Sequence, residues 1–298
     1  MLKMISRGEV LELVFRKKFS IAIPASLVSD IPHPREKTQR IGMVGRAAAI
    51  FGINEIIVFS DAPGRDQNRE IELITTLLSY METPQYLRKR LFKIRPELRF
   101  AGILPPLRTP HHPLKSRVKD LVDGEFREAV VVAHTRAGSL IDVGVERHVL
   151  IQNRKLPMNT RVTVRIIKVK GQLEATLEEG NDIKPYWGYG MPRSNLSFGK
   201  LLNRNEFDLV IATSKHGDPI SEVSQTMLSR WRASSRILVA FGAPNRGLHE
   251  IAKQENLDLD SITDFVVNTF PKQEVETVRT EEAVYVALGT ISLMTAKG

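Results

Sequence analysis

The sequence predicts an α/β fold interrupted by a small β-barrel, and three observations carry that prediction. Buried-strand and amphipathic-helix patterns alternate at both ends of the 298-residue chain. Short β-type runs, spaced by turn residues, fill the middle. Near the carboxyl end, consecutive apolar runs are each followed by a Gly, Pro or Asn turn, as at the ligand-binding edge of an open parallel sheet.

Residues 19–28 (FSIAIPASLV) read as a buried strand, followed by a polar loop at 29–35. Helical spacing of Ile41, Val44, Ala48 and Phe51 predicts a helix over 36–51, and 56–59 form the next strand, ending at Ser60 and Asp61. This is a β-α-β unit. A second helix is predicted at 69–81 and a third, in a basic stretch, at 86–93. Leu104-Pro105-Pro106 and Thr109-Pro110-His111-His112-Pro113 make a stiff connector. Beyond it, strands are expected at 128–133, 139–143, 147–151, 161–168 and 173–177, with Gly144, Asn153, Pro157 and Gly171 between them. Five such strands suit a small closed barrel of the OB type, with an SH3-like barrel as the alternative. After a loop with Tyr186, Trp187 and Tyr189, strands resume at 207–212 (ending at Thr213-Ser214), 237–241 and 265–267. A closing helix at 281–294 carries Val284, Ala287, Leu288 and Ile291 on one face. The expected architecture is therefore a discontinuous α/β domain, residues 1–110 and 182–298, with a barrel of 111–181 inserted into it.

Composition excludes several function classes. With no cysteine, the chain forms no disulfide and offers no thiolate to a metal or a substrate. No apolar run approaches bilayer length, and residues 1–14 lack the apolar stretch of a secretory signal, so a cytoplasmic protein without membrane contact is expected. Neither G-x-G-x-x-G nor a P-loop is present, nor G-x-S-x-G, nor H-E-x-x-H. No metal site is expected; His111-His112, adjacent in a Pro-flanked loop, are read as facing solvent or RNA.

The net charge of +9 is concentrated. Residues 85–119 hold ten of the 43 basic residues and one of the 34 acidic ones, which accounts for the whole excess. Arg88, Lys89, Arg90, Lys93, Arg95, Lys115 and Arg117, interleaved with Tyr86, Phe92 and Phe100, suit a phosphate backbone with occasional base stacking. RNA is the expected partner.

Taken together, these residues resemble the SPOUT superfamily of knotted α/β RNA methyltransferases, specifically its branch with an inserted OB-like domain. The resemblance covers nearly the whole chain. It implies that S-adenosylmethionine lies among three loops: Thr213-Ser214; residues 241–248, with Phe241, Gly242, Pro244, Asn245 and Gly247; and residues 268–282, with Asn268, Phe270, Val278 and Thr280. It further implies a trefoil knot at the carboxyl end and a homodimer. Arg46, before Ala47-Ala48-Ala49-Ile50-Phe51-Gly52, resembles the family's first motif and is the expected catalytic arginine. Gly42, Gly45 and Ala49 share its helix face, which predicts a groove that RNA approaches closely. Glu276 is a candidate auxiliary carboxylate. Many members carry Gly-Ser-Glu where this chain has Gly242-Ala243-Pro244-Asn245, so that loop offers no base. The implied substrate is ribosomal RNA, with a uridine base nitrogen favoured over a ribose 2′-hydroxyl. An RNA-binding assembly factor without turnover is the alternative.

Overall fold

A computed structural model describes residues 17–169, 172–178, 183 and 185–296. Residues 1–14, the Gly171 turn and the expected boundary at 181/182 lie outside the described residues. The described chain forms two compact units, residues 17–30, 53–71 and 192–296 in one, 31–52 and 72–191 in the other.

The first unit is a five-stranded sheet of β1 (Lys18–Pro24), β2 (Glu55–Phe59), β8 (Leu209–Pro219), β9 (Arg236–Ala240) and β10 (Phe265–Asn268), in the order β10-β8-β9-β1-β2. Every pairing is parallel. Its central strands are apolar without interruption because both faces are covered; Ile21, Ala22 and Ile23, with Ile237 to Ala240, are fully buried. One face packs Ala22, Leu238, Ala240, Val210 and Ala212 against Phe198 and Leu201 of α4 (Phe198–Leu202), and Leu248 and Ile251 of α6 (Leu248–Gln254). Helix α5 (Ile220–Ala233) packs on β8 and on the closing helix α8 (Thr280–Thr295).

Strand β8 differs from expectation in an informative way. The sequence predicts its end at Thr213-Ser214, yet the strand resumes: Val266 pairs with Ala212 and the next residue, Val267, pairs with Asp218. Residues 213–217 are thereby extruded from the ladder as a loop. Gly217 permits it, since a Cβ there would stand 2.5 Å from the Val266 carbonyl oxygen.

The second unit holds α1 (Pro34–Ile50), most of α2 (Asn68–Glu82), α3 (Gln85–Leu91) and a closed barrel of β3 (Phe126–His134), β4 (Gly138–Asp142), β5 (Val149–Gln152), β6 (Arg161–Val169) and β7 (Gln172–Leu177). Strand order around the barrel is β3-β4-β5-β7-β6, with β5 and β7 parallel and the other pairs antiparallel. Alternate residues, among them Ala129, Val131, Ile141, Val143, Val149, Ile151, Val164 and Ile166, fill its interior. Gly138 allows the tightest approach, with φ of 152° and the Ile151 carbonyl 2.0 Å from where a Cβ would lie. Among the described residues no helix is long and apolar enough to cross a membrane.

Candidate functional site

Three chain segments meet at the carboxyl-terminal edge of β8, β9 and β10 and enclose a cavity of about 440 Å³, a size suited to a small organic ligand. The extruded segment 213–217 supplies Thr213, Ser214, Lys215 and His216. The turn after β9 supplies residues 242–247, and the segment after β10 supplies Asn268, Thr269, Phe270, Gln273, Glu276, Thr277, Val278 and Thr280.

Hydrogen bonds tie each segment to the others. Thr213 Oγ1 donates to the Ala240 carbonyl at 2.9 Å, and Ser214 Oγ shares a 3.2 Å hydrogen bond with His249 Nδ1, so the first segment is fixed to the end of β9 and to α6, the elements that flank the second. Asn268 Nδ2 donates to the Lys215 carbonyl at 3.0 Å, fixing the third to the first. Thr280 Oγ1, buried at the start of α8, donates to the Gly242 carbonyl at 2.9 Å and closes the ring. Within the second segment, Ala243 and Arg246 exchange backbone hydrogen bonds of 2.8 and 3.3 Å, making a tight turn. Gly242 suits it: a Cβ would lie 3.1 Å from both the Arg246 carbonyl and the Gly247 Cα.

The cofactor residues expected from sequence therefore converge, with one exception. Thr213, Ser214, Gly242, Pro244, Asn245, Gly247, Asn268, Phe270, Val278 and Thr280 all line the cavity, as does Glu276. Phe241 does not: it is fully buried in the core, and its backbone N–H bonds the Ala22 carbonyl at 3.0 Å. Sequence reasoning missed Arg246, which lines the cavity and pairs with Asp61 at 3.1 Å. The signal was available, because Asp61 follows β2 and the carboxyl ends of parallel strands share an edge.

Arg46 belongs to the other unit. Its Nη1 donates to the carbonyls of Pro106 and Leu107 at 2.8 and 2.6 Å, while Nε and Nη2 make no hydrogen bond among the described residues. The open groove expected beside it is filled by the chain itself. A Cβ at Gly42 would lie 2.8 Å from Leu104 Cδ2, and one at Gly45 would lie 2.7 Å from the Tyr189 hydroxyl and 2.8 Å from Leu78 Cδ2. These glycines serve packing rather than RNA approach.

The basic segment divides into committed and uncommitted charges. Arg88 folds back on α2, donating to the carbonyls of Thr83 at 2.9 Å and Met81 at 3.1 Å, with its guanidinium 4.7 Å from the Tyr80 ring centre; burial lowers its pKa. It caps a helix and is not free for RNA. Arg90 pairs with Asp142 at 2.9 Å, Lys115 with Glu125 at 3.6 Å, and Arg95 with Glu72 and Glu97. Lys89, Lys93, Arg117 and Lys119 are exposed with no carboxylate partner among the described residues. Two of the aromatic rings are also engaged internally, the Tyr86 hydroxyl with the Glu128 carbonyl at 2.8 Å and Phe92 edge-on against Tyr80.

His111 and His112 do not face solvent. His111 is fully buried, and both Nε2 atoms bond the Glu82 carbonyl, at 3.0 and 2.6 Å. Burial, aided by the neighbouring His111, lowers the His112 pKa to about 4. Glu82 goes the other way: burial pushes it up, but hydrogen bonds from His111 and Arg161 outweigh burial and hold it at about 2.

A family model described as "Putative RNA methyltransferase" matches residues 18–291. The chain is 33% identical over 302 residues to the mouse protein named 28S rRNA (uridine-N(3))-methyltransferase, covering 91% of this chain and 75% of that one. The human protein of the same name is 32% identical over 303 residues, with 91% and 77% covered. An uncharacterised protein of Halobacterium salinarum is 33% identical over 289 residues, covering 92% of this chain and 98% of its own. With the family model spanning both compact units and the three loops around the cavity, the chain belongs to this family of RNA methyltransferases.

Proposed function

We propose that the protein transfers a methyl group from S-adenosylmethionine to N3 of a uridine in ribosomal RNA. The observation that carries this reading is the single cavity that three cross-tied loops form at the carboxyl edge of β8, β9 and β10. Its wall fits the donor chemically. Apolar Phe270, Val278 and Ala283 suit a flat adenine, and backbone groups of residues 242–247 with hydroxyl and carboxylate side chains suit its polar edge and ribose. When bound, the donor supplies an electrophilic methyl on a sulfonium.

What remains for the chain is positioning and charge stabilisation. Thr213, Asn268 and Thr280 hold the three loops in register, so the cavity is preorganised before a ligand arrives. Glu276 is assigned the auxiliary role, as a carboxylate on the wall of a cavity whose tight turn, residues 242–245, has none. Arg46 is assigned to RNA contact through Nε and Nη2, its Nη1 being fixed by two carbonyls. The base specificity follows the uridine-N(3) activity in the names of the mouse and human relatives.

The barrel is assigned to RNA binding as an OB-type module of residues 111–181, supported by its closed five-strand order and parallel β5–β7 contact. A SPOUT-type trefoil knot is supported by the bond from Thr280 back to Gly242, which returns the carboxyl-terminal segment onto the turn after β9. Homodimerisation is supported by exposed Val286 and Leu293 on α8. A cytoplasmic setting suits a chain without cysteine.

Labelled methyl transfer to ribosomal RNA, followed by nucleoside analysis, tests the reading. Label in 3-methyluridine is expected. Label in a 2′-O-methyl nucleoside overturns the base assignment, and cofactor binding without any transfer favours the assembly factor.

A further inference from the structure

We propose that Arg246, held by the buried Asp61, faces the acceptor base, and that a second, smaller cavity sharing its wall seats the acceptor pyrimidine. This deepens the methyltransferase reading above and rests on it. The smaller cavity, about 100 Å³, has room for a single ring. Ser26, Gln67 and the Arg65–Glu70 ion pair, 3.4 Å apart, line one side; Ala243, Asn245 and Arg246, whose guanidinium is the charge on that wall, line the other and also belong to the larger cavity. The two spaces therefore adjoin along one turn. A methyl donor in the larger and an acceptor ring in the smaller would meet at the rim they share, in the direct contact that group transfer requires.

The electrostatics of the shared wall favour an acceptor that develops negative charge. Asp61 is fully buried, and its oxygens accept from Ser26 N at 3.0 Å, Ser26 Oγ at 2.5 Å and Gln67 Nε2 at 2.9 Å, besides Arg246 Nη2 at 3.1 Å. Gln67 is held in turn by the backbone N–H groups of Asp61 and Ala62 at 2.9 and 3.0 Å and by Ser60 Oγ at 2.7 Å. Arg246 Nη1 donates to Gln254 Oε1 at 2.8 Å, and Nε has no partner among the described residues. A buried carboxylate with four donors is a costly way to shape a loop but an effective way to fix a cation. The guanidinium is clamped through Nη1 and Nη2 and partly exposed, with N–H groups left to donate.

In the step these residues serve, uracil N3 gives its proton to solvent, and the resulting imide charge spreads over N3, O2 and O4. The N3 lone pair forms the bond to the methyl carbon while the carbon–sulfur pair stays on sulfur, which becomes a neutral thioether. Arg246 donates to a carbonyl oxygen of the imide anion and so stabilises it most as it forms. Asp61 acts through Arg246 and is a positioning residue.

The test uses Arg246→Ala, Asp61→Asn and the double variant, which removes both charges and so avoids leaving Asp61 buried and unpaired. S-adenosylmethionine affinity by calorimetry and single-turnover transfer to ribosomal RNA are read in parallel, with millimolar guanidinium added back. Arg246→Ala is expected to slow transfer at saturating S-adenosylmethionine by about 100-fold or more, a far larger effect than on cofactor affinity, as for loss of a charge-stabilising donor. Guanidinium is expected to restore part of that loss. Asp61→Asn is expected to slow transfer, and to add nothing in the double variant, because both act through one group. Transfer by Arg246→Ala at the wild-type rate, a parallel loss of cofactor affinity, or failure of guanidinium to rescue overturns the proposal. A wild-type protein that binds no S-adenosylmethionine overturns instead the reading on which it rests.

Discussion

The two compact units each contain a polar cavity of similar size, about 440 Å³ in the first and about 460 Å³ in the second, and only the first is built like a binding site. The second is lined by Glu82, Glu128, Arg161, Thr163 and Trp187, three of them charged. All of that charge is satisfied internally. Arg161 grips Glu82 at 2.6 and 3.0 Å and Glu128 at 2.5 Å; Thr163 and Trp187 each donate to Glu128 at 2.6 Å; and His111 lies 3.2 Å from Glu82. In the first unit the hydrogen bonds fix the loops to one another and leave side chains such as Glu276 and Asn245 open to a ligand. Uncommitted polar valence separates a site from a structural cluster better than volume or charge does.

If that contrast holds, breaking the second cluster damages the fold and leaves the first site alone. Glu82→Ala removes one of the two carboxylates that Arg161 grips and is expected to cost about 2–3 kcal/mol of stability, while the surviving folded protein keeps its S-adenosylmethionine affinity. Denaturant melts and calorimetry check this; a variant that stays stable but loses the cofactor reverses the comparison.

The pH dependence of stability sharpens it. His112 has its folded pKa lowered to about 4 from 6.5, so its contribution is fully present above about pH 6.5 and is lost as pH falls toward 4. Allowing for partial solvent screening, the loss is about 2 kcal/mol. His112→Asn is expected to flatten the melting curve over that window. Glu82, held at about 2, contributes stability that is present above the ordinary carboxylate range and lost only as pH drops toward 2.

A smaller effect is expected at the ring of loops. Thr280→Val removes the bond to the Gly242 carbonyl and is expected to cost about 1 kcal/mol of stability and to weaken cofactor binding by about fivefold. An undiminished affinity would show that the third loop needs no tie to the second.

The smallest effect separates free from committed cations. Replacing Lys89, Lys93 and Lys119 by Gln is expected to lower the salt dependence of RNA binding, by about one unit of slope for each phosphate no longer neutralised. Arg88→Gln is expected to lower stability instead, since Arg88 caps α2.

Much of this was legible in the chain because it depends on local pattern. Apolar runs located the strands of the sheet, though the first, expected over 19–28, ends at Pro24; β-type runs between turn residues located those of the barrel; helical spacing located α1 and α8; and the turn residues after β9 and β10 marked the cavity. What escaped is long-range pairing. Nothing near Arg88 announces that it folds onto the carbonyls of Met81 and Thr83, and nothing near Gly42 announces that Leu104 fills the space beside it. The extruded segment 213–217 was hidden because a register shift depends on the partner strand, β10. His111 and His112 look solvated in a proline-rich loop until the Glu82 carbonyl meets them.

Calorimetric titration of S-adenosylmethionine into the wild type and into Ala283→Phe, which places a ring on α8 in the cavity wall without altering the helix, tests the central claim most directly. One binding event per chain in the wild type and none in the variant, at equal thermal stability, is the predicted result. Equal affinity in both proteins would contradict it.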